Sequence, residues 1–355
     1  MKASVSLDCA ALRSSLLAWY DRQARTLAWR VSPGDRGAGV RSDPYRVWLS
    51  EVMLQQTTVP HATPYFLSFT QRWPTVPDLA AVDDGDLMAA WAGLGYYARA
   101  RNLLACARAV ASQHGGVFPD TEEGLRALPG VGAYTAAAVA AIAFDRAANV
   151  VDGNVERVMS RLFAVETPLP DAKPELKALA GELVTDERPG DWAQALMDLG
   201  ATVCKPKSPL CDRCPISAWC DAFKAGAPET YPRKAKKADR PRRHGVAYVL
   251  TRGEAVALVR RPPKGLLGLP TSEWRATPYD DVEAIAVAPV AGAWRDLGAV
   301  EHVFTHFSLT LRVFAAAKAG NEGANGGDFV WTPREGLSAL PSVFLKAARA
   351  AERLL

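Results

Sequence analysis

Cys204-Lys205-Pro206-Lys207-Ser208-Pro209-Leu210-Cys211-Asp212-Arg213-Cys214-Pro215-Ile216-Ser217-Ala218-Trp219-Cys220 gathers four thiols into one short stretch, in the pattern Cys-x6-Cys-x2-Cys-x5-Cys. Four soft sulfur donors this close in sequence surround either a 4Fe-4S cluster or a tetrahedral zinc ion. The spacing favours iron, because structural zinc sites pair two Cys-x2-Cys knuckles and only Cys211 and Cys214 make one here. Zinc stays open on spacing alone. The remaining two of six cysteines, Cys9 and Cys106, stand apart, a distribution unlike a secreted disulfide framework and suited to a reducing cytoplasm. Lys205, Lys207, Arg213 and Lys224 lie close by, either to face phosphates or to balance the charge of what the thiols hold.

Upstream of this loop, from Leu7 onward, the chain reads as successive amphipathic helices. Trp48, Val52 and Gln55 follow the Asp43-Pro44 break, and Leu87, Trp91 and Leu94 follow the Asp83-Asp84-Gly85 turn. Downstream the pattern changes to period two, in Val246 to Leu250, Ala255 to Val259 and Ser308 to Phe314. The first two runs flank Thr251-Arg252-Gly253-Glu254 and predict a hairpin, and a helix is expected from Val343 to Leu355. Residues 224–244 contain Pro228, Pro232 and Pro241 and are expected to form a linker. From Tyr231 to His244, seven basic residues face one aspartate, a local +6 in a chain of net +4, so the remainder carries −2. A solvated linker is the common role of such a run and phosphate contact the alternative.

The expected organisation is thus a helical domain over residues 1–223, a basic linker over 224–244 and a mixed α/β domain over 245–355. A chain of 355 residues is long enough for both to bury a core, and its 49% apolar and 23% charged content is ordinary for a globular protein. Asp8, Arg13, Asp21, Arg22 and Arg25 break any apolar export core near the start. The longest apolar run, Ala133 to Phe144, is shorter than the roughly 20 residues a membrane span needs.

Three stretches of the helical half carry chemistry. Leu128-Pro129-Gly130-Val131-Gly132-Ala133-Tyr134-Thr135 is a glycine turn opening an alanine-rich helix, whose free N–H groups suit a phosphate. An ordinary helix connector reads the same way. After that helix comes Val150-Val151-Asp152-Gly153-Asn154-Val155, where Asp152 stands at an element boundary, either facing a cleft or serving as a helix N-cap. Glu51, in Trp48 to Thr57, flanks an apolar helix face, where partial burial raises a carboxyl toward proton-donor range; full solvation is the plainer alternative. Two carboxylates in unlike environments are what glycosidic cleavage uses, one protonating the leaving group and one stabilising the cationic sugar.

Taken in order, Ser50 to Thr57, Gly93-Leu94-Gly95-Tyr96-Tyr97-Ala98-Arg99-Ala100-Arg101, Leu128 to Thr135, Val151 to Val155 and the four cysteines closely resemble the MutY-type adenine DNA glycosylases. These belong to the helix-hairpin-helix superfamily together with endonuclease III. The resemblance is strong over about residues 10–223 and weaker beyond. It implies an α+β multidomain protein, with an all-α helix-hairpin-helix glycosylase core, one structural 4Fe-4S cluster on Cys204, Cys211, Cys214 and Cys220, and a C-terminal α/β Nudix-like domain. The implied reaction is hydrolysis of the N-glycosidic bond of adenine mispaired with 8-oxoguanine or guanine in duplex DNA, by a cytoplasmic, nucleoid-associated monomer with no membrane partner.

The same resemblance assigns roles. Glu51 protonates adenine N7, Asp152 stabilises the oxocarbenium ion or its covalent successor, and Tyr134 and Asn154 orient these groups and the water. The adenine must leave the stack before either carboxylate reaches it. Gln56 and Tyr97 match residues that wedge into the vacated stack; Gln194, Trp29 and Arg30 match contacts near the flipped base, and Gly130 and Gly132 the phosphate-binding turn. Endonuclease III carries at position 134 a lysine that forms a Schiff base and cuts the strand. A phenol forms no imine, so base removal without efficient strand cleavage is expected. Tyr134 thereby opposes a pyrimidine-lesion glycosylase with lyase activity, and the carboxylate pair opposes a non-catalytic redox or DNA-binding protein.

In the C-terminal half, Phe304-Thr305-His306 matches an 8-oxoguanine-sensing loop that usually reads Phe-Ser-His. The Arg261 to Pro270 loop departs from the family by a few missing residues. No Arg-Glu-x-x-Glu-Glu metal array occurs, so this domain is expected to bind and not to hydrolyse.

Overall fold

Helix starts in the first half follow cap chemistry written into the chain. In the computed structural model, which describes residues 8–235, 240–261, 266–304, 306–317 and 329–352, α1 (Cys9–Gln23) opens on Asp8, whose side chain accepts from Ala11 N. Likewise α2 (Pro44–Leu54) opens on Asp43, which accepts from Tyr45 N, with proline in the first turn where its missing N–H costs nothing. Further helices are α3 (Val59–Arg72), α4 (Ala98–Gln113), α5 (Ala133–Phe144), α6 (Gly153–Leu162), α7 (Lys173–Glu182) and α8 (Pro189–Asp198), joined by shorter turns. From α8 the chain runs through a π-helical turn, Leu199–Val203, directly into Cys204.

The alanine-rich stretch forms α5, and residues 135–143 of it are buried. A helix apolar on all sides belongs inside a bundle, and small side chains let its neighbours approach closely. α2 and α8 pack on it. On α2, Trp48, Leu49, Val52 and Met53 enter the core, each fully buried large side chain contributing about 1.5–3 kcal/mol. Glu51, beside Val52, is carried inward with them.

Two units are distinguished, residues 1–236 and 237–355. Residues up to 235 belong to the helical unit, because Tyr231 is buried there, Arg161 Nε donates to its carbonyl (3.1 Å), and Arg233 pairs with Glu166 (2.9 Å). Prolines prevent a long helix in this segment, but they do not prevent a side chain from anchoring it.

The second unit holds, among the described residues, six strands: β1 (Arg242–Arg252), β2 (Ala255–Arg261), β3 (Leu266–Gly268), β4 (Arg295–Val303), β5 (Ser308–Ala317) and β6 (Val330–Pro333). Their order is β3-β2-β1-β5-β4, with β6 also on β2. The hairpin forms as expected: Arg252 pairs with Ala255 across Gly253-Glu254, where Gly253 takes φ 55°. β1 and β5 pair in parallel from Arg242↔Ser308 to Thr251↔Ala317, and the others in antiparallel fashion. α9 (Ser342–Glu352) covers one sheet face, where Ala247 and Val249 meet Phe344 and Ala348; Val246 and Tyr248 face the other, against Tyr279 and Ala284. Among the described residues, no helix is long and apolar enough to cross a membrane.

Candidate active site and cluster loop

A cavity of about 360 Å³ opens in the helical unit where α2, α8 and the N-termini of α5 and α6 converge. Its walls include Trp29, Arg30, Glu51, Gln56, Tyr134, Asp152, Asn154 and Gln194. Glu51 is 8% exposed, and Tyr134 Oη donates to its Oε2 at 2.7 Å. Burial pushes the Glu51 carboxyl above its ordinary value, the charge of Asp152 pushes the same way, and the Tyr134 hydrogen bond pulls partly back. Burial also holds the Tyr134 phenol well above its usual range, with the Glu51 and Asp152 charges adding to the effect, so it remains a hydrogen-bond donor. The solvated alternative for Glu51 is thus set aside: its carboxyl is buried, and burial favours the protonated form.

Asp152 satisfies both of its readings at once. It is the N-cap of α6, Oδ1 accepting from Val155 N at 2.7 Å, and it lines the cavity. Oδ2 accepts from Asn154 Nδ2 at 2.9 Å. Asn154 is held in turn by Arg157, whose Nη2 donates to its Oδ1 (2.9 Å) and to Gly200 O (2.7 Å), while Nε donates to Cys204 O (2.8 Å). A carboxylate fixed by donors on both oxygens needs no reorganisation to face a positive charge developing in the cavity.

The other expected contacts distribute as follows. Trp29 is buried edge-on against Phe66 (5.3 Å), and Arg30 Nη1 is held by both oxygens of buried Asp198, each at 2.8 Å. Gln194 is buried in the wall, Nε2 on Gly190 O (3.2 Å). Gln56, just past α2, is exposed at the cavity with φ 56°. Tyr97 is half-buried at the start of α4 and packed against the core, whereas Tyr96 is 61% exposed with φ 48°. Of the adjacent pair, Tyr96 is the ring available to an outside partner. In the glycine turn, Gly130 takes φ 71°, and a Cβ there would lie 2.5 Å from Asn102 Cβ. Gly132 is the N-cap of α5 with no capping side chain, leaving the helix N-terminus bare.

Beyond α8, the four cysteines are free of disulfides and line one small cavity with Arg161 and Val203. Burial raises the thiols of Cys211 and Cys220 and pushes Cys214 up to about 12. Buried thiols of this kind ionise when a cationic centre binds them, as an iron-sulfur core does. Arg161, 2% exposed, donates to Cys204 Sγ (3.2 Å), Lys205 O (2.8 Å) and Pro206 O (3.1 Å), tying the loop to α6. The residues present therefore fit the cluster. Arg157 and Arg161 were missed in the sequence, although their i, i+4 spacing on the helix that follows Asp152 was the available signal.

In the second unit, Phe304 and Phe307 stack at 4.7 Å across the β4–β5 turn, with Trp274 at 5.6 Å and His302 at 4.5 Å from Phe304. His306 is exposed at the tip of that turn. Thr305, and residues 262–265 of the shortened loop, lie outside the described residues.

Residues 49–184 match the family described as HhH-GPD superfamily base excision DNA repair protein, residues 204–220 the iron-sulfur binding domain of endonuclease III, and residues 245–349 the NUDIX domain. The structure of a non-covalent endonuclease III–DNA complex covers 62% of this chain and 98% of its own, at 25% identity and a TM-score of 0.50. Fold and site together define a DNA-binding glycosylase of base excision repair that carries an iron-sulfur cluster and a Nudix-like domain. The zinc left open by cysteine spacing is thereby replaced by iron. Adenine DNA glycosylase of Homo sapiens is 36% identical over 88% of this chain and 68% of its own length, and that of Mycolicibacterium smegmatis is 40% identical over 57% and 66%. The chain belongs to the adenine DNA glycosylases.

Proposed function

We propose that the enzyme removes adenine paired with 8-oxoguanine or guanine in duplex DNA, and leaves the strand intact. The observation that carries this reading is the 2.7 Å hydrogen bond between the Tyr134 phenol and the buried Glu51 carboxyl, with Asp152 lining the same cavity. Glu51 delivers its proton to adenine N7, the glycosidic bond breaks toward the neutral base, and the Asp152 carboxylate stabilises the sugar cation until water adds at the anomeric carbon and gives its proton back to the Glu51 carboxylate. Asn154 orients Asp152. Tyr134 occupies the position where an amine would trap the sugar, so no imine forms and no strand is cut.

Gln56 and Tyr96 enter the stack that the adenine leaves, and the bare N-terminus of α5 beyond Gly130 and Gly132 takes a DNA phosphate. Trp29, Arg30 and Gln194 wall the base pocket. The cluster, of 4Fe-4S type, holds the cysteine loop against α6. The second unit, through Phe304 and His306, senses the base opposite adenine.

Single-turnover assays on A:8-oxoguanine, A:G and oxidised-pyrimidine duplexes test this. Free adenine is expected from the first two, with strand scission only after heating in alkali. Absence of adenine release, or scission without alkali, overturns it. Removing residues 237–355 is expected to lower release from A:8-oxoguanine more than from A:G; equal losses reject the sensing role.

A further inference from the structure

One side chain joins the two exposed groups assigned to the wedge. Arg99 sends Nη1 to the carbonyl oxygens of Val52 and Met53 (both 3.1 Å), in the last turn of α2, four and three residues before Gln56. Its Nη2 reaches the carbonyls of Leu94 (2.9 Å) and Gly95 (3.3 Å), immediately before Tyr96, and Thr57 Oγ1 (3.4 Å). The guanidinium also lies 5.7 Å from the Tyr96 ring centre. Only a planar fork has donors enough, in fixed directions, to hold two backbone segments at once.

The location of Arg99 says which element it serves. It is the second residue of α4, at an electropositive helix N-terminus that has no capping side chain and where a cation is disfavoured. Across the contact, α2 ends in carbonyls that have no intrahelical donor and carry partial negative charge. An arginine here works against its own helix and in favour of α2 and the Leu94–Gly95 turn.

We propose that Arg99 is a positioning residue that fixes the separation of Gln56 and Tyr96, so that the two enter the DNA stack as one rigid wedge. It touches neither base nor sugar. The proposal rests on the wedge reading of Gln56 and Tyr96.

The test uses full-length, iron-loaded protein carrying Asp152→Asn, so that no base is released, and a duplex with 2-aminopurine in place of the target adenine opposite 8-oxoguanine. Its fluorescence reports unstacking. Arg99→Lys keeps the charge and loses the fork, Arg99→Gln keeps neither, and melting temperature and iron content identify which variant is folded. Loss of hydrogen bonds from a charged group is expected to lower the unstacking equilibrium about tenfold with Arg99→Lys, and at least as much with Arg99→Gln. In a Gln56→Ala/Tyr96→Ala background the same Arg99 change is expected to matter less than about twofold, because nothing remains to position. An equal factor in both backgrounds overturns the role of Arg99 while leaving the wedge intact, as does unstacking unaltered by either Arg99 variant. Unstacking unaltered by Gln56→Ala/Tyr96→Ala overturns the wedge and the proposal together.

Discussion

Gly200→Ala should damage catalysis through a single methyl group. Gly200 lies in the π-helical turn between α8 and Cys204, and an added Cβ would fall 2.5 Å from Asn154 Cβ and 3.1 Å from Asn154 O. Ordinary contact needs about an ångström more, and neither neighbour is a flexible side-chain end. Asn154 cannot yield freely: Asp152 caps α6 at Val155 N, and Arg157 bridges Asn154 Oδ1 to Gly200 O. Helix propensity alone predicts a gain of about 1 kcal/mol from glycine to alanine. Overpacking opposes it by about 1–3 kcal/mol, so the net effect is destabilisation. The larger consequence is local, because the displaced Asn154 weakens its 2.9 Å bond to Asp152. A hydrogen bond to a charged group contributes about 1.5–3 kcal/mol, so single-turnover adenine release should fall about tenfold or more. Melting curves and single-turnover rates on the same preparation check both halves. Wild-type release from a protein that melts lower would refute the claim that Asn154 sets Asp152, and a protein that melts higher would refute the packing argument.

Glu51→Gln should abolish release yet raise thermal stability at neutral pH. The folded state raises the Glu51 pKa above its ordinary value, so the glutamate's favourable contribution is complete below that ordinary value and is lost as pH rises through the raised one. Glutamine does not titrate, so its advantage should grow with pH across melts from about pH 5 to 8, and a pH-independent difference would contradict the burial argument. Arg161→Met leaves the buried carbonyl of Tyr231 and the partly buried carbonyl bonds of Lys205 and Pro206 without their donor. A cost of about 3–5 kcal/mol and a loss of bound iron are expected, read by melting and by iron content; full iron at an unchanged melting temperature would count against it.

The cysteine loop, the glycine turn and both carboxylates were legible because each is a local pattern whose chemistry depends on close spacing. What joins them was not. Glu51 meets Tyr134 only because α5 packs on α2, and nothing in the local sequence states that contact. Asp152 looked ambiguous between cap and cleft because it caps α6 and lines the cavity at once. Tyr96 and Tyr97 differ by one position, and what distinguishes them is exposure in the fold, which adjacent identical residues do not reveal. The packing of Tyr231 on the helical unit was hidden too, since the neighbouring prolines speak about local conformation and not about distant contacts. In the second unit the β1–β2 hairpin was readable from its turn, whereas the β1–β5 pairing brings together strands far apart in the chain.

That last pairing has a consequence for how the protein is made. β1 is buried on both sheet faces, yet its parallel partner β5 is not synthesised until dozens of residues later. At about 5–20 residues per second the strand waits several seconds on the ribosome, with the side that β5 takes left unpaired. During that interval the β1–β2 hairpin presents an open apolar edge, the feature that invites wrong partners. The β1–β2 hairpin without β5 is therefore an aggregation-prone stage of the nascent second unit.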